Sequence, residues 1–412
     1  MESPTESSED NRDLIYHCGE TLKQFLPIYL SRIRKHYEPS APRRGFPKLS
    51  PLDFHRKSEM ASYSDRALGS AIRNISPSVV AVSYFYGVQR KVDCSGFIIR
   101  WDDFTQVATV LTSAKLMRSP LGRDDYYIIV RLANGKLLEA VEDYVDYYHN
   151  IATFKVKSDA KLKPVDLCCV ETSDGDEVFA LRRDFHNCKL SETGGSIHHD
   201  HPYFGCEQLL SSTCRSSQVG EGGPLINKMG IVCGINFFDG HRCVHPLPTS
   251  VIDLCLRNWE SYGIVMRPWL GFTVMDIATL PPDTYELMPE SSVDSTVVVK
   301  EVYEGSPADK IEVCPGDSIT AVNGSRLSGG LRVYAEELNA ASNVLSTLSA
   351  CGHTNFMQVY VKVNDGRKLV VADNLNVNDK KFCSSWLGDD SDWTMEPLIG
   401  SQTRAAVDIA SW

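Results

Sequence analysis

The sequence predicts a mainly β fold, in which an antiparallel all-β barrel or sandwich precedes a smaller α+β unit. Short runs rich in Val, Ile, Phe and Tyr recur along the chain, as strands do. Turn residues such as Asp102-Asp103 and Asn134-Gly135 separate these runs. Such close spacing favours consecutive strands over alternating strands and helices. After Pro268 the strands are joined by one helical segment, which indicates a second unit.

Each predicted strand is a short apolar run. The first unit has its runs at 79–86, 96–99, 107–111, 127–132, 151–156, 178–181, 225–226 and 231–238. The second unit has its runs at 269–275, 296–302, 318–322 and 356–363, with a helix predicted over 330–348. The turn signal Asn364-Asp365-Gly366 lies between two apolar runs and predicts a hairpin.

Length and charge restrict the functional class. A chain of 412 residues is expected to hold two domains plus terminal segments. No window approaches the roughly 20 apolar residues that a membrane span needs, so no span is predicted. The formal charge of −11 disfavours nucleic-acid binding. The basic stretch at 32–57 is interrupted by prolines and is interpreted as a solvated linker.

The two ends of the chain lack the patterning of the rest. Residues 1–65 read as an irregular leader with one amphipathic stretch, 14–34, that could form a helix. The acidic first residues do not resemble a secretory or transit signal, so we expect an intracellular, cytoplasmic or nuclear location. Residues 373–412 mix Asp, Ser and Trp without a period and are predicted to be a flexible tail.

Cysteine and histidine usage predicts neither a disulfide framework nor a metal centre. The 13 cysteines contain no CxxC pair, which favours reduced thiols. A metal site could be imagined around His198, His199 and His201, which Cys188 and Cys206 flank. These residues lack the paired spacing of zinc ligands, so we interpret them as a polar surface loop. No cofactor is predicted.

Several phrases occur in the order seen in one protease family. They are AIRNISPSVV at 71–80, SGFII at 95–99, VLTSAK at 110–115, NIATFKV at 150–156 and VGEGGPLIN at 219–227. In this order they resemble the HtrA/Deg (Do-like) serine proteases, of the plant Do-like type, over roughly residues 67–370. The resemblance implies a trypsin-like double antiparallel β-barrel followed by a small α+β PDZ domain.

The same resemblance identifies the positions of the catalytic triad, and none of them carries the family's residue. Lys115 stands at the histidine position, Asn150 at the aspartate position and Glu221 at the serine position of the Gly-x-Ser-Gly-Gly-Pro motif. The oxyanion-hole region corresponds to Val219, Gly220 and Glu221.

These substitutions disfavour peptide hydrolysis on chemical grounds. Amide cleavage needs a nucleophile, a base that takes its proton and a group that orients the base. A carboxylate such as Glu221 is a poor nucleophile toward an amide. Lys115 is ordinarily protonated, and Asn150 carries no charge that would support an imidazolium. In subtilisin, loss of the nucleophile or the base costs about a million-fold in rate.

Two structural hypotheses follow. A relocated triad would recruit His149, Ser216 or Ser217, with Asp143 or Asp146 as partner. We disfavour it because neighbouring residues on a strand face opposite sides, so that His149 would point away if Asn150 points in. Alternatively, Lys115 and Glu221 face each other as an ion pair that fills the junction, or both simply reach solvent.

The second unit carries the most specific resemblance. The phrases VVKEVYEGSPA at 298–308 and PGDSITAVNG at 315–324 resemble an HtrA-type PDZ domain. Its carboxylate-binding loop is then Trp269, Leu270, Gly271 and Phe272, with Gly271 allowing backbone N–H groups to turn toward an anion. A sheet edge beside this loop would accept a peptide as an added strand, unless packing against the barrels closes the groove.

The sequence therefore predicts a leader at 1–65, a protease-like domain at 66–262, a PDZ domain at 263–372 and a tail at 373–412. The predicted function is that of a catalytically inactive pseudoprotease that binds protein C-termini or unfolded peptides as an adaptor or regulator. Homo-trimers or hetero-oligomers with active relatives are implied by the resemblance. The alternatives are a serine-type endopeptidase of protein quality control, which homology alone implies, and a structural subunit with a closed PDZ groove.

Overall fold

The computed structural model describes most of the chain between residues 63 and 378. Its ranges are 63–86, 89–117, 126–168, 170–199, 206, 208–238, 243–276, 297–322, 325–327, 330–350, 358–363 and 366–378. The predictions for 14–34, 32–57, His201, Asn323-Gly324, 364–365 and 379–412 lie outside them. Within these ranges no helix combines the length and the apolar character needed to cross a bilayer.

The first barrel is a closed antiparallel sheet of six strands that follows helix α1 (Tyr63–Ile75). Around the barrel the strand order is β1-β2-β3-β6-β5-β4. Apolar residues alternate inward along these strands, so that side chains such as Phe97 and Phe154 are fully buried. The bounds are β1 (Val79–Tyr86), β2 (Gln89–Asp102), β3 (Val107–Ser113), β4 (Tyr126–Arg131), β5 (Leu137–Asp146) and β6 (Ile151–Lys157).

The second barrel repeats this architecture with the strand order β10-β11-β12-β9-β8-β7. Helix α2 (Thr249–Tyr262) follows it and ends at Gly263, whose φ of 67° forms a left-handed cap. The bounds are β7 (Glu177–Arg183), β8 (Leu190–His198), β9 (Ser211–Arg215), β10 (Pro224–Asn227), β11 (Val232–Phe238) and β12 (Cys243–Pro248).

Two buried arginines join the barrels. Arg183 on β7 donates from Nε to the Val79 carbonyl at 2.6 Å and from Nη2 to the Ser76 carbonyl at 2.7 Å. Arg131 on β4 donates from Nη1 to the Phe185 carbonyl at 2.6 Å. Hydrogen bonds from charged donors are stronger than neutral ones when buried. The junction between the barrels is therefore a fixed frame for the side chains that lie in it.

The third unit has one sheet with strand order β14-β15-β16-β18-β19, to which β17 is attached, and a two-stranded sheet of β13 and β20. Helix α3 (Gly330–Ala350) packs on β13 and on α2. The bounds are β13 (Met266–Trp269), β14 (Phe272–Asp276), β15 (Val297–Val302), β16 (Ser318–Val322), β17 (Ser325–Arg326), β18 (Gln358–Val363), β19 (Gly366–Val371) and β20 (Asp373–Asn376).

Three details of the sequence-based description are corrected. The single strand predicted at 269–275 is two strands of different sheets, because the chain turns at Gly271 with φ +80°. The predicted tail begins as ordered structure: β20 pairs with β13, and Val377 is fully buried. The predicted start of the protease-like domain at residue 66 falls inside α1.

Candidate functional site

The structure brings the three predicted triad positions together at the junction of the barrels. Lys115 lies in the 3-10 turn Ala114–Met117, directly after β3. Asn150 precedes β6 in a turn and has a φ of +55°, a conformation that asparagine tolerates better than most residues. Glu221 follows the 3-10 turn Gln218–Gly220 and leads into β10. Two residues thus come from the first barrel and one from the second.

The Glu221 carboxylate receives donors from the first barrel. Its Oε1 atom accepts hydrogen bonds from Ser113 Oγ at 2.9 Å and from Asn150 Nδ2 at 3.2 Å. The Lys115 ammonium lies 3.4 Å from Oε2. Oε2 has no hydrogen-bond donor among the described residues, so its interaction with Lys115 is one of charge. We call Ser113, Lys115, Asn150 and Glu221 the Glu221 network.

Of the two alternatives that the sequence left open, this geometry matches the ion pair. Glu221 is only 3% exposed, whereas the Lys115 side chain keeps 18% of its surface accessible. The Glu221 charge also acts on a neighbouring thiol. Burial raises the pKa of Cys94 well above its usual range, and the negative charge of Glu221 adds to that increase. A buried carboxylate without donors would be costly, and the surrounding donors offset that cost.

The backbone beside Glu221 explains why two glycines follow it. Gly222 has a φ of +78°, and a Cβ there would lie 2.5 Å from the Ser95 carbonyl oxygen and 2.8 Å from the Ser113 nitrogen. Its N–H donates to the Asn236 carbonyl at 2.7 Å, while Ser95 N donates to the Glu221 carbonyl at 2.8 Å. Only glycine allows the two barrels to approach this closely.

In the predicted oxyanion-hole region, the backbone N–H groups of Gly220 and Glu221 donate to carbonyl groups of the same turn. The N–H of Glu221 donates to the Gln218 carbonyl at 3.1 Å, within the 3-10 turn. The Val219 carbonyl accepts a hydrogen bond from Ser95 Oγ at 2.7 Å, and the N–H of Gly220 donates to the Ser217 carbonyl at 2.7 Å. An oxyanion hole needs N–H groups aimed at the developing charge. The Glu221 amide is already occupied in this conformation.

The residues considered for a relocated triad do not assemble into one. His149 Nδ1 lies 2.7 Å from Asp146 Oδ2, and its Nε2 has no hydrogen-bond partner in the part of the chain that the structure describes. Ser217 Oγ accepts a bond from Arg182, and Ser216 Oγ donates to the Ser217 carbonyl at 3.3 Å. Asp143 pairs instead with Lys155 at 3.1 Å and with Thr153.

One premise of that prediction is corrected. Asn150 lies in the turn before β6 and not on the strand itself, so strand alternation does not separate it from His149. The left-handed turn separates the two side chains: Asn150 contacts Glu221, and His149 contacts Asp146 and Cys255.

Asp146, His149 and Cys255 form a buried cluster that the sequence analysis recognised only in part. Asp146 and His149 lie three residues apart and were considered together, but Cys255 is 106 residues beyond His149, so no local spacing could reveal it. Asp146 Oδ2 also accepts a bond from Tyr144 Oη at 2.9 Å, and Cys255 Sγ lies 3.5 Å from His149 Nδ1. Two ligands of a tetrahedral zinc ion would be about 3.3 Å apart, given metal–ligand distances near 2.0 Å. The 2.7 Å contact between Asp146 and His149 is instead a hydrogen bond.

The histidine-rich segment gives no metal site in the described part of the chain. His198 Nε2 lies 3.0 Å from Ser196 Oγ, and its Nδ1 lies 3.5 Å from Asp174. Cys206 is buried in the hydrophobic core of the barrels, and its Sγ donates to Gln208 Oε1.

The predicted carboxylate-binding loop, Trp269–Phe272, connects the two sheets of the third unit. Leu270 and Phe272 are buried in that unit's core, whereas Trp269 packs against the core of the barrels. The Gly271 carbonyl accepts the Tyr303 N–H at 2.8 Å, and the Leu270 carbonyl accepts the Ala308 N–H at 3.1 Å. We call Trp269–Phe272 the PDZ loop.

Comparisons with known proteins agree with this architecture. A trypsin-like peptidase domain matches residues 94–235, and a PDZ domain matches residues 298–344. The crystal structure of the serine endoprotease from Yersinia pestis superposes with a TM-score of 0.50 at 20% identity, covering 75% of this chain and 97% of that one. This likeness shows a shared fold: two trypsin-like barrels followed by a PDZ domain.

Two curated relatives narrow the class further. The chain is 27% identical over 287 residues to "Putative protease Do-like 14" of Arabidopsis thaliana, covering 62% of this chain and 63% of the relative. It is 25% identical over 311 residues to "Serine protease HTRA3" of Rattus norvegicus, covering 69% of this chain and 65% of the relative. The chain thus spans slightly less than two thirds of these relatives. These matches support the resemblance to HtrA/Deg proteins with a C-terminal PDZ domain.

Proposed function

We propose that this chain is a catalytically inactive HtrA-like pseudoprotease that acts as a peptide-binding adaptor or regulator through its PDZ domain. The observation that carries the proposal is the buried Glu221 carboxylate, bonded to Ser113 and Asn150 and paired with Lys115. Lys115, Asn150 and Glu221 stand where the family resemblance assigns the base, the orienting acid and the nucleophile.

The Glu221 network has no acid–base pair suited to amide cleavage. Lys115 stands at the base position, and a lysine ammonium paired with a carboxylate has no lone pair with which to take a proton from a nucleophile. Asn150 uses its amide N–H groups on Glu221 and has no charge to orient a base. The Glu221 amide donates inside its own turn, so it does not supply an oxyanion donor in this conformation. The lack of a base, of an orienting charge and of a free oxyanion donor at these three positions supports the proposal of an inactive chain.

The PDZ domain has features expected for peptide capture. Strand β14 stands at the end of its sheet and pairs on one side with β15, so its other edge has no strand partner among the described residues. A peptide could add there as a further strand, with its C-terminal carboxylate at the PDZ loop. Leu270 in the PDZ loop and Phe272 at the start of β14 are apolar residues at that end, and both are buried in the core of the third unit. Protein C-termini and unfolded peptides are the ligand class that this arrangement favours.

A serine-type endopeptidase is the second candidate, because the relatives are called proteases or serine proteases. The two candidates differ in whether the chain contains a reactive nucleophile. Oligomeric state and an intracellular location in the cytoplasm or nucleus stay predictions from the sequence.

The test is to treat the purified chain with a fluorophosphonate probe and with casein, beside a K115H, N150D, E221S triple variant. We expect no labelling and no cleavage by the natural chain. Labelling of the natural chain would overturn the proposal, and the labelled peptide would identify the nucleophile, with Ser216 and Ser217 the first residues to check. Labelling of the triple variant would show that the turn at Gln218 can open.

Peptide binding is tested separately with a library of C-terminal peptides. Each peptide is paired with its C-terminally amidated form, which removes the carboxylate charge. We expect binding that weakens at least tenfold on amidation. Equal binding of both forms would contradict carboxylate capture, and no binding to any peptide would favour a structural subunit with a closed groove.

A further inference from the structure

We propose that Ser113, Lys115 and Asn150 form a carboxylate-binding site at the barrel junction. In the natural chain this site holds the side chain of Glu221 as a tethered ligand, and when that side chain is shortened it takes a small external carboxylate such as acetate. The inference goes beyond the proposed function, because it does not depend on whether the chain cleaves peptides.

The donors are fixed independently of Glu221, so the site exists as a preformed receptor. Ser113 Oγ accepts the Lys115 N–H at 3.1 Å, which orients its own hydrogen toward an acceptor. The Asn150 backbone is held by its carbonyl, which accepts the Ala114 N–H at 3.0 Å. Asn150 Oδ1 accepts a hydrogen bond from Ser113 Oγ at 3.2 Å, so it shares the single Ser113 hydroxyl hydrogen with Glu221 Oε1. The contacts other than that with Glu221 lie within the first barrel. Preorganised donors lose little entropy when an anion binds.

The site matches a carboxylate better than a spherical anion. Two donors converge on one oxygen, Oε1, while the Lys115 charge faces the other, Oε2. A chloride ion could satisfy only one of these positions. Truncation of Glu221 to alanine removes Cγ and the carboxyl group, and these atoms correspond to acetate. Formate is smaller and would fit the same space, whereas propionate would be too large.

The tethered ligand also joins the barrels, because the donors belong to the first barrel and Glu221 to the second. Loss of the carboxylate removes the acceptor of Asn150 Nδ2 and the negative charge that faces Lys115, and such losses are expensive where the groups are largely buried. An external carboxylate would restore the acceptor. Binding to the folded state alone then raises the unfolding temperature in proportion to the logarithm of ligand concentration.

The experiment measures the thermal unfolding midpoint of the full chain carrying Glu221→Ala in rising sodium acetate, with sodium chloride at equal ionic strength as control. We expect an increase of about 3 °C at tenfold the dissociation constant, and a further logarithmic increase above that concentration. Formate should act similarly and propionate should not. The natural chain should show no such increase, because Glu221 already occupies the site.

Two matched variants make the result specific. In Glu221→Ala combined with Lys115→Met, the acetate effect should disappear, because the cation is gone while the cavity remains. In Glu221→Gln the space stays filled, so acetate should have no effect. The proposal is wrong if acetate acts no differently from chloride on Glu221→Ala, or if the Lys115→Met combination responds equally.

If Glu221→Ala does not fold, the coupling between the two charges tests the same site. Lys115→Met, Glu221→Gln and the double variant form a cycle of unfolding equilibria. We expect a coupling of at least fivefold in the folding equilibrium constant. A coupling of less than twofold would show that Lys115 does not hold the carboxylate, and would overturn the proposal.

Discussion

The barrel junction and the PDZ loop have the same kind of backbone but different side-chain chemistry. Each contains a glycine with positive φ in close contact with another segment: Gly222 against Ser95, and Gly271 against Ser306. Around Gly271 lie the other residues of the predicted carboxylate-binding loop, Trp269, Leu270 and Phe272. Around Gly222 the three triad positions carry side chains that bond to one another.

The difference teaches that packing and chemistry are separable in this fold. The two glycines allow two chain segments to approach closely, and any chain with this fold needs that close packing. The side chains at the triad positions need only to be mutually satisfied when buried, and a carboxylate with donors meets that condition as well as a triad does. Resemblance in fold therefore does not by itself carry activity.

The sharpest way to break this comparison is Gly222→Ala. The added Cβ would meet backbone atoms of both β2 and the end of β3, and the positive φ adds strain. We expect the free energy of unfolding to fall by about 3 kcal/mol or more. Urea unfolding followed by tryptophan fluorescence measures this.

Gly175→Ala is the matched control, because Gly175 has a φ of +86° but nothing within 4 Å of its would-be Cβ. Only the backbone strain remains there, so we expect a loss of about 1 kcal/mol. Equal losses in the two variants would mean that the approach of the barrels at Gly222 is not tight.

The same test at the PDZ loop uses Gly271→Ala. A Cβ there would lie 2.0 Å from the Ser306 Cβ, so the loop must shift away from the start of β14. We expect peptide affinity to fall at least tenfold while the barrels unfold as in the natural chain. Isothermal titration with a bound library peptide and a thermal scan measure the two quantities.

Gly305→Ala is the control for the PDZ loop, because Gly305 has a φ of +73° and open space around it. We expect its peptide affinity to stay within twofold of the natural value. A similar loss of peptide affinity in Gly271→Ala and Gly305→Ala would indicate that either substitution destabilises the PDZ domain as a whole, and that displacement of the PDZ loop is not the cause.

A smaller loss of unfolding free energy than for Gly222→Ala is expected from a change in the buried cluster of Asp146, His149 and Cys255, which lies next to the turn that carries Asn150. Burial by itself raises the pKa of Asp146, but the charge and hydrogen bonds of His149, with the Tyr144 hydroxyl, lower that pKa below its ordinary value. A lowered folded pKa stabilises the fold above the unfolded value near pH 4, and the stabilisation is lost as the pH falls through the folded pKa. Asp146→Asn should therefore cost about 2 kcal/mol at pH 7 and less at pH 3.

Asp93 has a pKa shift opposite to that of Asp146, and urea unfolding at a series of pH values measures both effects. Burial raises its pKa, and the opposing effects of Arg90 and the Ser83 hydroxyl do not cancel that increase. A raised folded pKa means that the fold favours the protonated acid, so stability is lost as the pH rises from the unfolded value through the folded pKa. Relative to Asp93→Asn, the natural chain should lose stability with rising pH. The difference in unfolding free energy between the natural chain and Asp93→Asn should change with pH in the opposite direction to the difference for Asp146→Asn. The same pH dependence for both would contradict the opposite pKa shifts of Asp93 and Asp146.

Much of the architecture was predictable from residue patterns, and the exceptions have physical causes. Apolar runs such as 79–86 and 151–156 identified strands correctly. Strand β8 was missed because Leu190–His198 contains Ser, Thr and two glycines in place of an apolar alternation, and its neighbours in the barrel impose its conformation. Strand β20 was missed because its pairing partner, β13, lies about 100 residues earlier in the chain.

The sequence by itself determined the identity of the groups at the junction, because local phrases place Lys115, Asn150 and Glu221 in a known order. It also determined the ion pair's charges. Only the tertiary structure decided that Ser113 joins them, that the Glu221 N–H turns inward to Gln218, and that Asp146, His149 and Cys255 meet. Hydrogen bonds and burial depend on distances between segments remote in sequence, and those distances exist only once the two barrels have packed.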